Sequence, residues 1–336
     1  MKKLFYLLAM ALMATTVSYA QNTLVATLSH ESEVRMFYGP SALINAVDDA
    51  ASGDVITLSG GTFGCAKITK GITIRGAGAD GQNPTIIGGS NYENRIIDIP
   101  SGDSNRLVVE GVRINFGTSN EININAGNLY FIKCDFGLLF DSSFTGEAKF
   151  VNCNIGTFSL TGSGNVKLSN CTIGKFTNNQ NTTSKADFFN CHLDVSSSTS
   201  FYKSSFVNCV LYYSTPGTGY SGSISADASA MNCVYINSGG GTKIDCYDST
   251  VPEVYANYTT ATDRWGGTIY YRDGYELSDE AKTTYLGTDG KEVGIYGGQY
   301  PFNLTPTYPV ITTLNVAKQA TADNKLSVEI EVSAAE

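Results

Sequence analysis

The sequence predicts an all-β fold, a right-handed parallel β-helix, and three observations predict it. The first is a short phrase that recurs six times between Phe131 and Ile236: FIKCDF, FVNCNI, LSNCTI, FFNCHL, FVNCVL and AMNCVY. The second is its period. Cys134, Cys153, Cys171, Cys191, Cys209 and Cys233 stand 19, 18, 20, 18 and 24 residues apart, and self-similarity at such a spacing marks a solenoid. About twenty residues suffice for three short strands and their bends. The third is composition: 336 residues with 35 Gly, 20 Tyr and 16 Phe suit one large, many-turned β domain.

Inside the phrase, an apolar residue stands three before the cysteine and another two after it, which favours strand over helix. Coils stacked at roughly 4.8 Å place each residue above its equivalent, so Phe, Val, Ile and Leu form inward columns. No coil can bury such a face alone. Asn152, Asn170, Asn190, Asn208 and Asn232 precede five of the cysteines, and Lys133 precedes the first. Asn tolerates the left-handed conformation of a bend, and stacked Asn side chains are expected to bond one another in a ladder. Equivalent cysteines on neighbouring coils point the same way, which suits disulfide geometry poorly. The six are therefore expected as free, buried thiols. Cys65 and Cys246 stand outside the series. No CxxC or Cys/His cluster supports zinc.

The chain opens with Lys2 and Lys3, an apolar run from Leu4 to Met13, and a small-x-small site at Ser18-Tyr19-Ala20. This pattern predicts a signal peptide over 1–20, export, and a mature chain from Gln21. No apolar run is long enough to be expected to span a bilayer. Val34–Tyr38 is predicted as a first strand, Pro40–Ala51 as an amphipathic helix with Leu43, Ile44, Val47 and Ala50 on one face, and Val55–Leu58 as the next strand. A helix here would cover the open end of the solenoid. Lys67–Arg75, Thr85–Ile87, Arg95–Ile99 and Arg106–Phe116 supply the first coils. Gly76-Ala77-Gly78 completes no phosphate-loop motif and is a turn. The β-helix with its caps is expected over 21–302. In a 303–336 tail, Val310–Val316 and Leu326–Val332 alternate as a hairpin around Asp323-Asn324.

Residues 42–89 (ALINAVDDAASGDVITLSGGTF … ITKGITIRGAG … PTIIGG) resemble the opening of right-handed parallel β-helix proteins of the pectin-lyase-like superfamily. Residues 273–298 (DGYELSDEA … YLGTDGKEVGIYGG) look like the closing element of exported bacterial members, often written D-I-G-A-Y. The resemblance covers roughly residues 34–302 and implies the fold. Its chemistry is divided between polysaccharide lyases and exported proteins of other roles.

The chain gives lyase chemistry little to work with. Such enzymes need a Lys or Arg base, a second cation, and often Ca²⁺ held by carboxylates of neighbouring coils. No arginine lies between Ile114 and Asp263, and the lysines there stand singly, with Lys149 and Lys167 expected in solvent. Asp187 with Asp194 is the candidate carboxylate pair for a cation, with a solvated surface as the plainer reading, and Ca²⁺ enters only under the lyase reading; otherwise no cofactor is implied. Hydrolases of the superfamily need paired carboxylates and a His between glycines. The chain has only His30 and His192, and His192 is expected to point outward without Gly neighbours. Asp48-Asp49 falls on the solvated side of the helix.

Aromatic residues gather from Tyr255 to Tyr300. Trp265, Tyr270 and Tyr271 are the candidate sugar-stacking residues, with packing of a C-terminal cap against the last coils as the plainer role for the whole group. Loss of Lys2 and Lys3 takes the net charge from −9 to −11. That acidity excludes nucleic acid as a natural partner and disfavours polyanions. The expectation is an exported, non-catalytic scaffold that contacts glycans or cell-surface components. The alternative is a polysaccharide lyase or other carbohydrate-active enzyme acting on acidic glycans.

Overall fold

The computed structural model describes residues 24–81, 83–88, 96–100, 103–115, 123–137, 139–141, 144–160, 162–178, 181, 183–195, 200–213, 223–236, 241–249, 251–256, 275–316 and 328–333. Residues 1–20, predicted as a signal peptide, lie outside them.

The repeated phrase stacks as expected, and the chain winds into a parallel β-helix of three sheets. The first sheet runs from Val55–Leu58 through Thr73–Arg75, Leu107–Glu110 and the second half of Asn123–Ile132. It continues through Thr145–Val151, Asn165–Ser169, Lys185–Phe189, Ser204–Val207 and Ser229–Met231 to Thr242–Ile244, every pair parallel. The second sheet holds the residues after each cysteine, from Gly61–Gly64 to Tyr247–Ser249. The third is shorter and runs from Ile68 to Ser223–Ile224.

Inward columns form the core. Phe131, Phe150, Leu168, Phe188, Phe206 and Ala230 line the first sheet, all buried. Their rings stack in places: Phe131 on Phe150 at 5.0 Å, Phe188 on Phe206 at 5.0 Å, and Phe176 on Phe201 at 5.3 Å across the third sheet. Such offset contacts add to the burial itself.

Between the first and second sheets the chain turns through a left-handed residue in every coil. Lys133, Asn152, Asn170, Asn190, Asn208 and Asn232 have φ between 49° and 56°. The series extends further than the sequence phrase. Gly111 (φ 66°) precedes it and Asp245 (φ 49°) follows it. Cys246 therefore belongs to the cysteine column as a seventh rung. Its sulfur bonds the Ala230 carbonyl at 3.5 Å, and Tyr247 N–H bonds the Cys233 carbonyl at 2.9 Å. The column consists of free thiols, each bonded to backbone carbonyls; Cys153 Sγ reaches Val151 O at 3.4 Å and Phe131 O at 3.5 Å. Burial pushes the thiols of Cys153, Cys191, Cys209 and Cys233 up.

The corner between the second and third sheets has its own device. Ile155 and Phe158 both point inward, so two successive residues, Gly156 and Thr157, turn outward at the bend. Gly174 repeats Gly156 one coil on. A Cβ on Gly156 would lie 2.3 Å from the Gly137 carbonyl oxygen, and one on Gly174 would lie 2.7 Å from that of Gly156. Stacked coils come this close only through glycine.

At the N-terminal end, β1 (Val25–His30) pairs antiparallel with Val55–Leu58, and β2 (Glu33–Tyr38) pairs antiparallel with β1. β2 matches the predicted first strand; β1 precedes it. Helix α1 (Ala42–Asp49) lies within the predicted helix and buries Ala42, Leu43, Ala46 and Val47, with Ile44 half-buried at the margin. His30 bonds Asp54 at 2.7 Å, and that bond raises the imidazole above its ordinary value. The C-terminal tail forms the predicted hairpin, Val310–Val316 against Val328–Ser333, as a separate two-stranded sheet.

Candidate functional site

The second sheet carries a polar row on its outer face, set by the register of the coils. Arg113, Asp135, Asn154, Thr172 and His192 lie one above another. Arg113 Nε bonds Asp135 Oδ2 at 3.0 Å, Asn154 Nδ2 donates to Asp135 Oδ1 at 2.8 Å, and Thr172 Oγ1 donates to Asn154 Oδ1 at 2.6 Å. Burial raises the Asp135 carboxyl, opposed by Arg113 and by Asn154. Beyond His192 the row turns apolar, with Val210, Val234 and Tyr247.

The C-terminal part of the chain lies on this face. Val254, Tyr255, Leu277, Ala281 and Val293 form one apolar cluster with Val210, Tyr212, Val234 and Ile236. His192 points outward from its strand as expected, and this cover leaves it 2 % exposed. Tyr255 Oη stands 2.6 Å from His192 Nδ1, Asp194 Oδ1 stands 3.3 Å from Nε2, and the Tyr275 ring lies 4.0 Å away. One neutral tautomer satisfies both bonds: the tyrosine hydroxyl donates to Nδ1, and Nε2–H donates to Asp194. A His–Asp–Tyr set could move protons in an open cleft. Here Asp194 is 3 % and Tyr255 4 % exposed, so the set ties the covering segment to the sheet.

From Leu286 to Tyr308 the chain then runs back along the left-handed corner as a strap, visiting the coils in reverse order. Asn232 Nδ2 donates to Leu286 O at 3.5 Å, and Asn208 Oδ1 accepts from Thr288 N–H at 2.9 Å. Asn170 Nδ2 donates to Ile295 O at 2.9 Å and Gly297 O at 2.8 Å, and Asn152 Nδ2 to Pro301 O at 3.3 Å. Lys133 Nζ donates to Thr305 O; Glu110 accepts from Thr307 N–H at 2.9 Å and from its hydroxyl. Tyr308 Oη donates to Gly76 O, and Arg75 sits over the Tyr308 ring at 5.3 Å. Gly298, at φ +74°, presses so closely on Asn190 that a Cβ would lie 2.6 Å from its Oδ1. Asn152, Asn170, Asn208 and Asn232 thus bond the strap rather than each other, which corrects the expected Asn–Asn ladder. The expected end cap is a cover and a strap along the side.

The other sequence candidates fall as follows. Trp265, Tyr270 and Tyr271 lie outside the described residues. Asp187 sits on the outer face of the first sheet opposite Lys167, and Asp194 on that of the second. The two carboxylates belong to different sheets and do not gather. Lys149 and Lys167 face solvent as expected. Asp48 and Asp49 lie exposed on the helix as expected, and Asp49 pairs with Arg35 at 2.6 Å. Among the described residues no group of three or more His, Cys, Asp or Glu side chains is placed to hold a metal ion, and no helix is long and apolar enough to cross a membrane. Against known families, curated proteins and solved structures, no match is found.

Proposed function

We propose that this chain is an exported, non-catalytic β-helix scaffold of the pectin-lyase-like type, presented in the secreted, surface or periplasmic space. The observation that carries this reading is the use made of the outer face of the second sheet. His192, Asp194, Asn154 and Thr172 are each 3 % exposed or less, bonded within the row or to the chain's own C-terminal segment. The polar side chains that could serve a substrate serve the protein instead. Glycan contact falls to Trp265, Tyr270 and Tyr271, which stand in the sequence between Tyr255 and Tyr275 of this cover. No cofactor is required.

A polysaccharide lyase is the second reading, and one observation favours it. Arg113 and Asp135 form a half-exposed cation–carboxylate pair on one sheet face, 35 % and 22 % exposed. The test is incubation of the purified chain with pectate, alginate, chondroitin and heparin-type polymers, with and without Ca²⁺. The scaffold reading expects no ultraviolet absorbance from unsaturated uronate ends, and binding to glycan-coated surfaces that weakens on Trp265→Ala. Product from any polymer, abolished by Arg113→Ala, overturns it.

A further inference from the structure

The N-terminal edge of the first sheet is β2, paired with β1 on one side only among the described residues. β2 is nearly all exposed, with Val34 65 %, Met36 54 % and Tyr38 60 % accessible. These three share one face, because β2 pairs Val34 with Ser29, Met36 with Thr27 and Tyr38 with Val25. Arg35 and Phe37 lie on the other face, above the helix, where Arg35 bonds Asp49 at 2.6 Å. Among the described residues no strand other than β1 pairs with β2.

The hydrogen-bond parity of this edge is fixed. Gly39 N–H bonds Leu24 O, while Ser59 N–H bonds Val25 O on the opposite side of β1. In an antiparallel ladder the bonded pairs recur every second residue. Residues 33, 35 and 37 therefore bond β1, and the N–H and C=O groups of Val34, Met36 and Tyr38 point off the free edge. A partner strand must match three such residues, each offering one donor and one acceptor.

β2 matches itself. We infer that β2 is a homodimer interface in which two copies pair antiparallel about a two-fold axis at Met36. In that register Met36 faces Met36 of the other copy and Val34 faces Tyr38, so all six exposed apolar side chains meet on one face. The three bonded pairs provide six backbone hydrogen bonds. On the opposite face each Arg35, already neutralised by Asp49, stands across from Phe37, and Glu33 stands across from Gly39. The register shifted two residues toward the turn, with the axis at Arg35, would set Arg35 against Arg35, and like charges directly opposite are unfavourable. An isologous pairing of this kind closes on itself and leaves no further edge.

Stacking on the other end of the solenoid is blocked. The last coil places Lys243 and Asp248 at core register, opposite Ala230 and Tyr235, and pairs them at 2.7 Å. A neighbour stacked there would have to bury both charges.

Light scattering of the purified chain across a concentration series tests the inference. The expected result is a two-chain mass at tens of micromolar. Met36→Pro removes an edge donor without touching the β1 ladder, a placement edge strands accept. It is expected to give a monomer with unchanged circular dichroism and melting. If the proline variant fails to fold, Met36→Lys replaces it, setting two like charges across the axis. Met36→Cys is expected to form a reducible symmetric cross-link. A monomeric wild type, a dimer that survives both edge variants, or a dimer in which Met36→Cys never cross-links would overturn the inference.

Discussion

At Asn170 the backbone stands at φ 51° while the side chain donates to Ile295 O and Gly297 O at 2.9 and 2.8 Å. Two properties of asparagine act at one corner, and two substitutions separate them. Asn170→Gly keeps the left-handed backbone and loses the strap bonds, at a cost of about 1–3 kcal/mol for two buried bonds. Asn170→Ala loses the same bonds and adds left-handed strain of about 1–2 kcal/mol. Urea unfolding is expected to rank wild type above Gly and Gly above Ala, with faster proteolysis of the strap in both variants. Equal stability of the two variants would remove the backbone argument; wild-type stability in both would remove the strap argument. The left-handed turn was legible in the sequence because Asn recurs before cysteine. The target of its bonds was not. The strap offers backbone carbonyls, and a carbonyl has no letter in the sequence.

Each coil depends on where its strands bend, and the bends were unequally visible. The bend after the first sheet announces itself through Asn and Cys. Its last instance escaped because Asp245 replaces Asn and the step from Cys233 to Cys246 is short. The bend after the second sheet rests on Gly137, Gly156 and Gly174, single residues that stand three after Cys134, Cys153 and Cys171. Gly156→Ala sets a Cβ 2.3 Å from the Gly137 oxygen, and forcing the coils apart is expected to cost about 1–3 kcal/mol. A thermal melt measures it, and an unchanged midpoint would mean that the corner yields freely. In the coil of His192 the corner glycine is replaced by Asp194, and the strand runs straight through to Val195. The second sheet is wider from there on, which is the platform that the C-terminal cover occupies. The outward direction of His192 was legible in the sequence but its cover was not, because alternation shows which side of a strand a residue takes but not what later segment lies on it.

Over the whole molecule, a solenoid has two ends at which its core columns would meet water, and this chain closes them by different means. Helix α1 lays Leu43, Ala46 and Val47 across the first coil. At the far end the columns simply change character. Phe188, Phe206 and Ala230 lead to Lys243, and Leu193, Leu211 and Tyr235 lead to Asp248, so each column stops in a charge. Lys243 Nζ also lies 3.9 Å over the Tyr235 ring and shields it, leaving Tyr235 fully buried. Inward-pointing charge on a terminal strand is a barrier to edge-to-edge growth. The double variant Lys243→Leu, Asp248→Leu keeps the coil but continues both columns in apolar side chains up to an open edge. It is expected to associate end to end, seen as light scattering that rises with concentration and as extended particles in electron micrographs, while either single variant retains one buried-charge penalty and stays near wild-type mass. Since the other end pairs only with its own kind, growth would proceed through doubled units. A double variant that keeps the wild-type mass at every concentration would mean that the end is closed by something other than the Lys243–Asp248 pair.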